Sequence, residues 1–142
     1  MMATRLHRAS EADFFARLGK AGYTDLRMRH SVLLEALPQE GARVTTLAAQ
    51  LGMTKQAMGE LVDDLEASGY IQRENDPADR RARLIRFTRK GQLAFEQAFV
   101  ILADMEREYA ALVGPDRYAQ ARATFAELVE ALESPDQSSA GQ

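Results

Sequence analysis

The chain has no cysteine and only two histidines in 142 residues. Without cysteine there are no disulfides, no thiol redox switch and no thiolate metal site. Two histidines alone are too small a donor set for a transition-metal sensor, so no metal is expected. No apolar run is long enough to cross a bilayer, and the opening Met-Met-Ala-Thr-Arg-Leu-His-Arg lacks the apolar core of a secretory signal. A cytoplasmic protein with no membrane partner is the expectation. The sequence also lacks a Gly-rich phosphate loop, a His-Glu-x-x-His pair, a nucleophile elbow and a triad. It therefore offers nothing for an enzyme, and no cofactor or catalytic residue is assigned. Positive charge is short as well: 18 Lys and Arg stand against 21 Asp and Glu, a net charge of −3, which runs against the basic balance of many nucleic-acid binders.

What is present is ordinary globular usage, 46% hydrophobic and 27% charged, at a length that suits one domain. The charge, however, is unevenly placed. Seven bases and three acids lie between Arg73 and Lys90, a net of +4, whereas three bases and nine acids lie between Gln92 and Gln142, a net of −6. A cationic patch on an acidic body can hold phosphate locally while the rest discourages wrong poses. The alternative is a solvated strand edge.

Just before that patch, residues 45–61 have the pattern of a helix-turn-helix. Ala48 is small where two helices would meet, Gly52 can take a left-handed turn, and Met58 and Leu61 fall on one face of the second helix. In such a unit the second helix protrudes and suits a duplex major groove. Around it the pattern predicts a first helix over about 11–20, with Ser10 as cap and Phe14, Phe15 and Leu18 as its apolar stripe. A second helix passes through Leu26, Val32, Leu33 and Leu37 and ends at Pro38. Arg43-Val44 reads as a very short strand, Thr45 or Thr46 as the cap of the third helix, and Thr54 as the cap of the fourth. Met58, Leu61, Val62 and Leu65 form the buried side of the fourth helix, with Lys55, Gln56, Gly59 and Asp63 opposite. Gly69 ends it.

Two strands, over 70–73 and 82–87, with a polar tip between them, make a hairpin. Thr88 caps a long helix over about 89–113, Gly114 stops it, and Pro115 starts a last helix. There Tyr118, Ala121, Phe125, Leu128 and Leu132 recur in steps of three and four, a coiled-coil-like seam. These terminal helices carry more apolar surface than a small domain can cover. A second copy packed by two-fold symmetry would cover it, as would folding back on the same chain. The expected fold class is mainly α, an α+β winged helix-turn-helix of about six helices with a two-stranded wing.

With these elements the chain resembles the MarR family of bacterial winged-helix transcription regulators. The resemblance runs from about Glu11 to Leu132. It is most specific in Leu65-Glu66-Ala67-Ser68-Gly69-Tyr70-Ile71-Gln72-Arg73 and in the wing segment Asp76-Pro77-Ala78-Asp79-Arg80-Arg81 through Phe87-Thr88-Arg89-Lys90-Gly91, where Phe87 replaces a usual leucine. It implies a domain over 1–135, with a DNA-binding core at about 24–91 and dimerisation helices at about 8–22 and 89–134, while the polar composition of 135–142 reads as a disordered tail. It also implies a triangular homodimer on a palindromic operator, usually a repressor, often released by a small aromatic or phenolic effector.

At the start of the recognition helix Thr54, Lys55, Gln56 and Gly59 are the candidates for base edges: Gln56 can pair with adenine, Lys55 can reach guanine or phosphate, and Gly59 permits close backbone approach. Glu60 and Asp63 depart from the basic residues of many relatives. On the wing, Arg80 and Arg81 suit phosphate and the minor groove; the family pattern favours Arg81 for insertion. Arg83 is a further phosphate candidate, as are Arg86 and Arg89. Asp79 is assigned to wing stabilisation, through the backbone or Arg83. By analogy with relatives, Phe14, Phe15, Leu18, Tyr23, Leu26, His30 and Leu33 are candidates for an effector pocket, although an apolar stripe of this kind also serves as plain core. The rival function is a winged-helix protein-interaction adaptor, which would dimerise without salt-sensitive duplex binding.

Overall fold

The computed structural model describes residues 1–133. In chain order the elements are α1 (Met2–Lys20), α2 (Met28–Ala36), α3 (Val44–Gln50), α4 (Lys55–Ala67), β1 (Ile71–Asp76), β2 (Asp79–Phe87), α5 (Arg89–Val113) and α6 (Pro115–Glu133). This is the six-helix, mainly α fold with one antiparallel two-stranded sheet. The expected tail over 135–142 lies outside the described residues. The chain divides into two compact units, Met1–Ile101 and a second that begins at Leu102.

The first unit is organised around α4. Its residues Met58, Leu61, Val62 and Leu65 are all buried, as their spacing requires. They share a core with Leu33 of α2, Leu47 and Ala48 of α3, and Tyr70, Ile71 and Ile85 of the hairpin. Each fully buried aliphatic side chain contributes roughly 1.5–3 kcal/mol of transfer free energy, so the wing is fastened at its base by Ile71 and Ile85. Gly52 takes φ +62° in the turn between α3 and α4, the conformation in which a side chain would be strained. Gly69 takes φ +77° after α4, and the amide of Tyr70 returns to the carbonyl of Leu65, closing the helix.

Several boundaries differ from the sequence expectation. The first helix begins at Met2, not near Glu11. Ser10 is no cap; its hydroxyl donates to the carbonyl of His7 within the helix. The second helix excludes both Leu26 and Leu37, which are buried in the flanking turns. The third helix starts at Val44 with Arg43 in the cap position, so neither Thr45 nor Thr46 caps it. The expected short strand is a single bridge, one residue earlier, between Ala42 and Ile85. The wing is longer: β1 and β2 pair from Ile71 with Phe87 to Asp76 with Asp79, leaving only Pro77 and Ala78 as the turn. Polar composition predicts a loop over 74–81, but cross-strand pairing, including Arg86 with Glu74 at 3.1 Å, holds part of it as ribbon.

Thr54 caps α4, accepting from the amide of Ala57 at 3.1 Å. Thr88 accepts from the amide of Gly91 at 3.0 Å at the start of α5 and donates to the carbonyl of Gly69. In the second unit, Gly114 (φ +96°) separates the end of α5 from α6, and Arg122 reaches Glu106 at 3.4 Å. No described residue of α6 is buried; Phe125, Leu128 and Leu132 are all exposed. Among the described residues no helix is long and apolar enough to cross a membrane.

Candidate nucleic-acid interface

The capped N-terminus of α4 projects a polar first turn. Thr54, Lys55 and Gln56 are exposed. Gly59 is half-buried, yet a Cβ built on it would meet nothing within 4 Å, so the backbone there faces open space on the side away from the core. One turn further, Asp63 is committed elsewhere. Its carboxylate takes a guanidinium hydrogen bond from Arg73 of β1 at 2.6 Å, and Glu66 accepts from the same guanidinium and from the Arg73 amide. The Asp63 hydrogen bond first, then that of Glu66, raise the Arg73 pKa above its ordinary value. Glu60 is exposed.

That pairing also sorts the basic stretch. Arg73 is claimed by α4 and Arg86 by Glu74. Lys90 donates to the carbonyl of Ser68 at 2.7 Å, lies 4.1 Å over the ring of Tyr70 and stands 3.6 Å from Asp25. Arg80, Arg81, Arg83 and Arg89 are exposed, with no ion pair among the described residues. The cationic surface available to a ligand is thus concentrated towards the wing tip.

The tip is built by two aspartates. Asp79 accepts from the amide of Arg81 at 3.0 Å, and its other oxygen is 3.9 Å from Arg43. Arg43, rather than Arg83, is therefore its basic neighbour. Asp76, only 7% exposed, accepts from the Ala78 amide at 2.9 Å and from Arg43 Nε at 2.8 Å. The Ala78 hydrogen bond and then the Arg43 guanidinium hold the Asp76 carboxyl below its usual range. Neither Asp76 nor Arg43 announces this pairing in the sequence. Asp76-Pro77 carries a turn signal, but a partner 33 positions away has no local signature.

The candidate pocket residues separate. A cavity of about 490 Å³ opens between the end of α1 and the turn before α2. It is lined by Phe15, Tyr23 and Leu26 together with Glu11, Ala16, Gly19, Thr24, Arg27 and Met28. Phe14, Leu18, His30 and Leu33 do not line it; Leu18 and Leu33 are core. His30 is buried. Its Nδ1 accepts from the amide of Arg27 at 3.1 Å, capping α2, and its Nε2 faces Asp64 at 3.8 Å without a hydrogen bond. Tyr70, fully buried, donates its hydroxyl to Asp25, and burial followed by that carboxylate pushes its pKa up. Among the described residues no group of three His, Cys, Asp or Glu is arranged to hold a metal ion.

Comparison with known proteins agrees with this architecture. The sequence profile of the MarR family matches residues 22–82. The HTH-type transcriptional regulator PetP of Rhodobacter capsulatus is 30% identical over 140 residues, spanning 92% of this chain and 81% of that protein. Among solved structures, the transcriptional repressor CouR bound to a 23-mer DNA duplex superposes with TM-score 0.59 at 25% identity, covering 91% of this chain and 92% of that one. Streptococcus pneumoniae FabT in complex with DNA shares the fold with TM-score 0.77 at 17% identity, covering 95% of both chains. The chain belongs to the MarR family: it is a winged helix-turn-helix DNA-binding regulator of transcription.

Proposed function

We propose that the protein is a repressor that binds a palindromic operator as a homodimer and is released by a small aromatic or phenolic ligand. In this reading the first turn of α4 enters the major groove, where Lys55 and Gln56 meet base edges, Thr54 sets the start of the helix and Gly59 allows close approach. Arg81 enters the flanking minor groove, and Arg80 and Arg83 meet phosphate. The observation that carries the reading is the sorting of charge: the neighbouring bases are paired internally, while these arginines stand exposed beside a capped, polar helix start. The name of CouR, a repressor held on a duplex, supports repression. The uncovered apolar side chains of α6 support a second copy, with dimerisation helices over about 8–22 and 89–134 and a DNA-binding core over about 24–91. The open cavity beside Phe15, Tyr23 and Leu26 supports an aromatic guest.

The test is fluorescence anisotropy on duplexes from the protein's own upstream region. Arg81→Ala is expected to weaken binding about 5- to 150-fold, and log affinity is expected to fall steeply with log salt as counterions are released. Equal affinity for the variant, or a flat salt response, contradicts the reading and favours a protein-interaction adaptor. Titration of the protein–duplex complex with salicylate-like compounds checks release; no displacement at millimolar ligand would remove that element.

A further inference from the structure

A two-stranded ribbon is marginal on its own and has no fixed direction beyond its base. Here the segment Gly41-Ala42-Arg43 runs alongside it and holds it twice. Ala42 exchanges both backbone hydrogen bonds with Ile85, at 3.1 and 2.8 Å. Gly41 (φ +86°) lies so close that a Cβ would stand 2.7 Å from the Ile85 carbonyl oxygen. Further out, Arg43 reaches the hairpin end with Nε and Nη2 on one oxygen of Asp76, whose other oxygen fixes the Pro77-Ala78 turn through the Ala78 amide. Asp79 then continues the line, facing Arg43 with one oxygen and holding the amide of Arg81 with the other.

The position of Arg43 sharpens the point. It is the cap residue of α3, where Ser, Thr, Asp or Asn would satisfy an orphan helix amide, and no side chain caps that helix. A local rule is broken, and the guanidinium instead makes a contact 33 residues away. We propose that Arg43 is a positioning residue for DNA binding. Clamped on Asp76, it aims the wing tip so that Arg81 meets the duplex. The inference rests on the DNA contact proposed above for Arg81.

The experiment is a double-mutant cycle in duplex binding with the full-length protein. Arg43→Met keeps the aliphatic stem and removes the fork. It is expected to weaken binding on the order of tenfold, as loss of a charged hydrogen bond does, and to shrink the further effect of Arg81→Ala to under about twofold, while Lys55→Ala retains its full effect. Asp76→Asn is expected to reproduce Arg43→Met, and it serves in its place should that variant fold poorly. An Arg81→Ala effect as large without Arg43 as with it overturns the clamp. So does an Asp76→Asn protein that binds as tightly as the parent or more so, because that result makes Arg43 a direct phosphate contact. Amide hydrogen exchange at Ala78 and Arg81 in the free protein gives a readout independent of DNA: faster exchange in Arg43→Met is expected, and unchanged exchange refutes the clamp. Should Arg81→Ala prove silent in the parent protein, the proposed function fails instead, and exchange at those two amides still decides the clamp.

Discussion

His30 is a buried imidazole whose role is structural. Burial first, and then the nearby Arg29 charge, lower its pKa below the ordinary 6.5, against the opposing pull of Asp64. The neutral ring is the form that caps α2, because Nδ1 must accept from the Arg27 amide. The unfolded chain therefore takes up the proton first. Its stabilising share is complete above about pH 6.5 and is lost as pH falls from there towards the lower folded value. Urea unfolding between pH 5 and 8 should show stability falling on the acid side, and His30→Gln, which keeps an acceptor, should flatten that slope. The type of residue was legible in the sequence but its state was not. A lone histidine among apolar neighbours gives no sign of which nitrogen is satisfied. The same limit applied to Arg43 and Asp76, whereas Thr54 and Thr88 were legible as caps because capping is decided within three residues.

Helices whose apolar residues recur at regular steps were the most legible elements. The buried face of α4 follows from Met58, Leu61, Val62 and Leu65 alone. The start of α1 was not legible, since Met2 to Ala9 are exposed and carry no stripe, and the length of the wing was not, since its outer residues are polar on both faces. Local chemistry still makes firm predictions. Thr54→Ala should cost about 1 kcal/mol by removing the cap of α4, read as a lower midpoint in chemical denaturation. Gly91→Ala should cost more. Its Cβ would lie 1.9 Å from the carbonyl oxygen of Tyr70, where the first turn of α5 lies against the turn between α4 and β1, and backbone must move to admit it, at about 1–3 kcal/mol. A Gly91→Ala protein as stable as the parent would contradict this close approach.

Across the molecule, the large apolar side chains left uncovered gather on α5 and α6. The seam through Phe125, Leu128 and Leu132 was legible as a repeat, but a repeat does not say what it meets. If a second copy covers it, Leu128→Glu removes a buried leucine twice per two-fold dimer, roughly 2 kcal/mol each. Sedimentation velocity should then show a shift towards monomer and a parallel loss of duplex affinity, while far-ultraviolet circular dichroism stays near that of the parent. A variant that remains dimeric would place the contact elsewhere. The charge division was legible at this scale too: an acidic chain with a basic wing. Which arginines remain available was not, because the partners of Arg73 lie seven and ten positions upstream on another element.

That withdrawal of Arg73 by Asp63 and Glu66 limits what the protruding rod can sense. Its rear half is spent on its own wing, so in the proposed complex discrimination among operators would fall to a single helical turn. On the proposed homodimer, each half-site should then contain a short block of essential letters flanked by tolerant ones, and the distance between blocks, dictated by how the two subunits are spaced, should matter as much as the letters themselves.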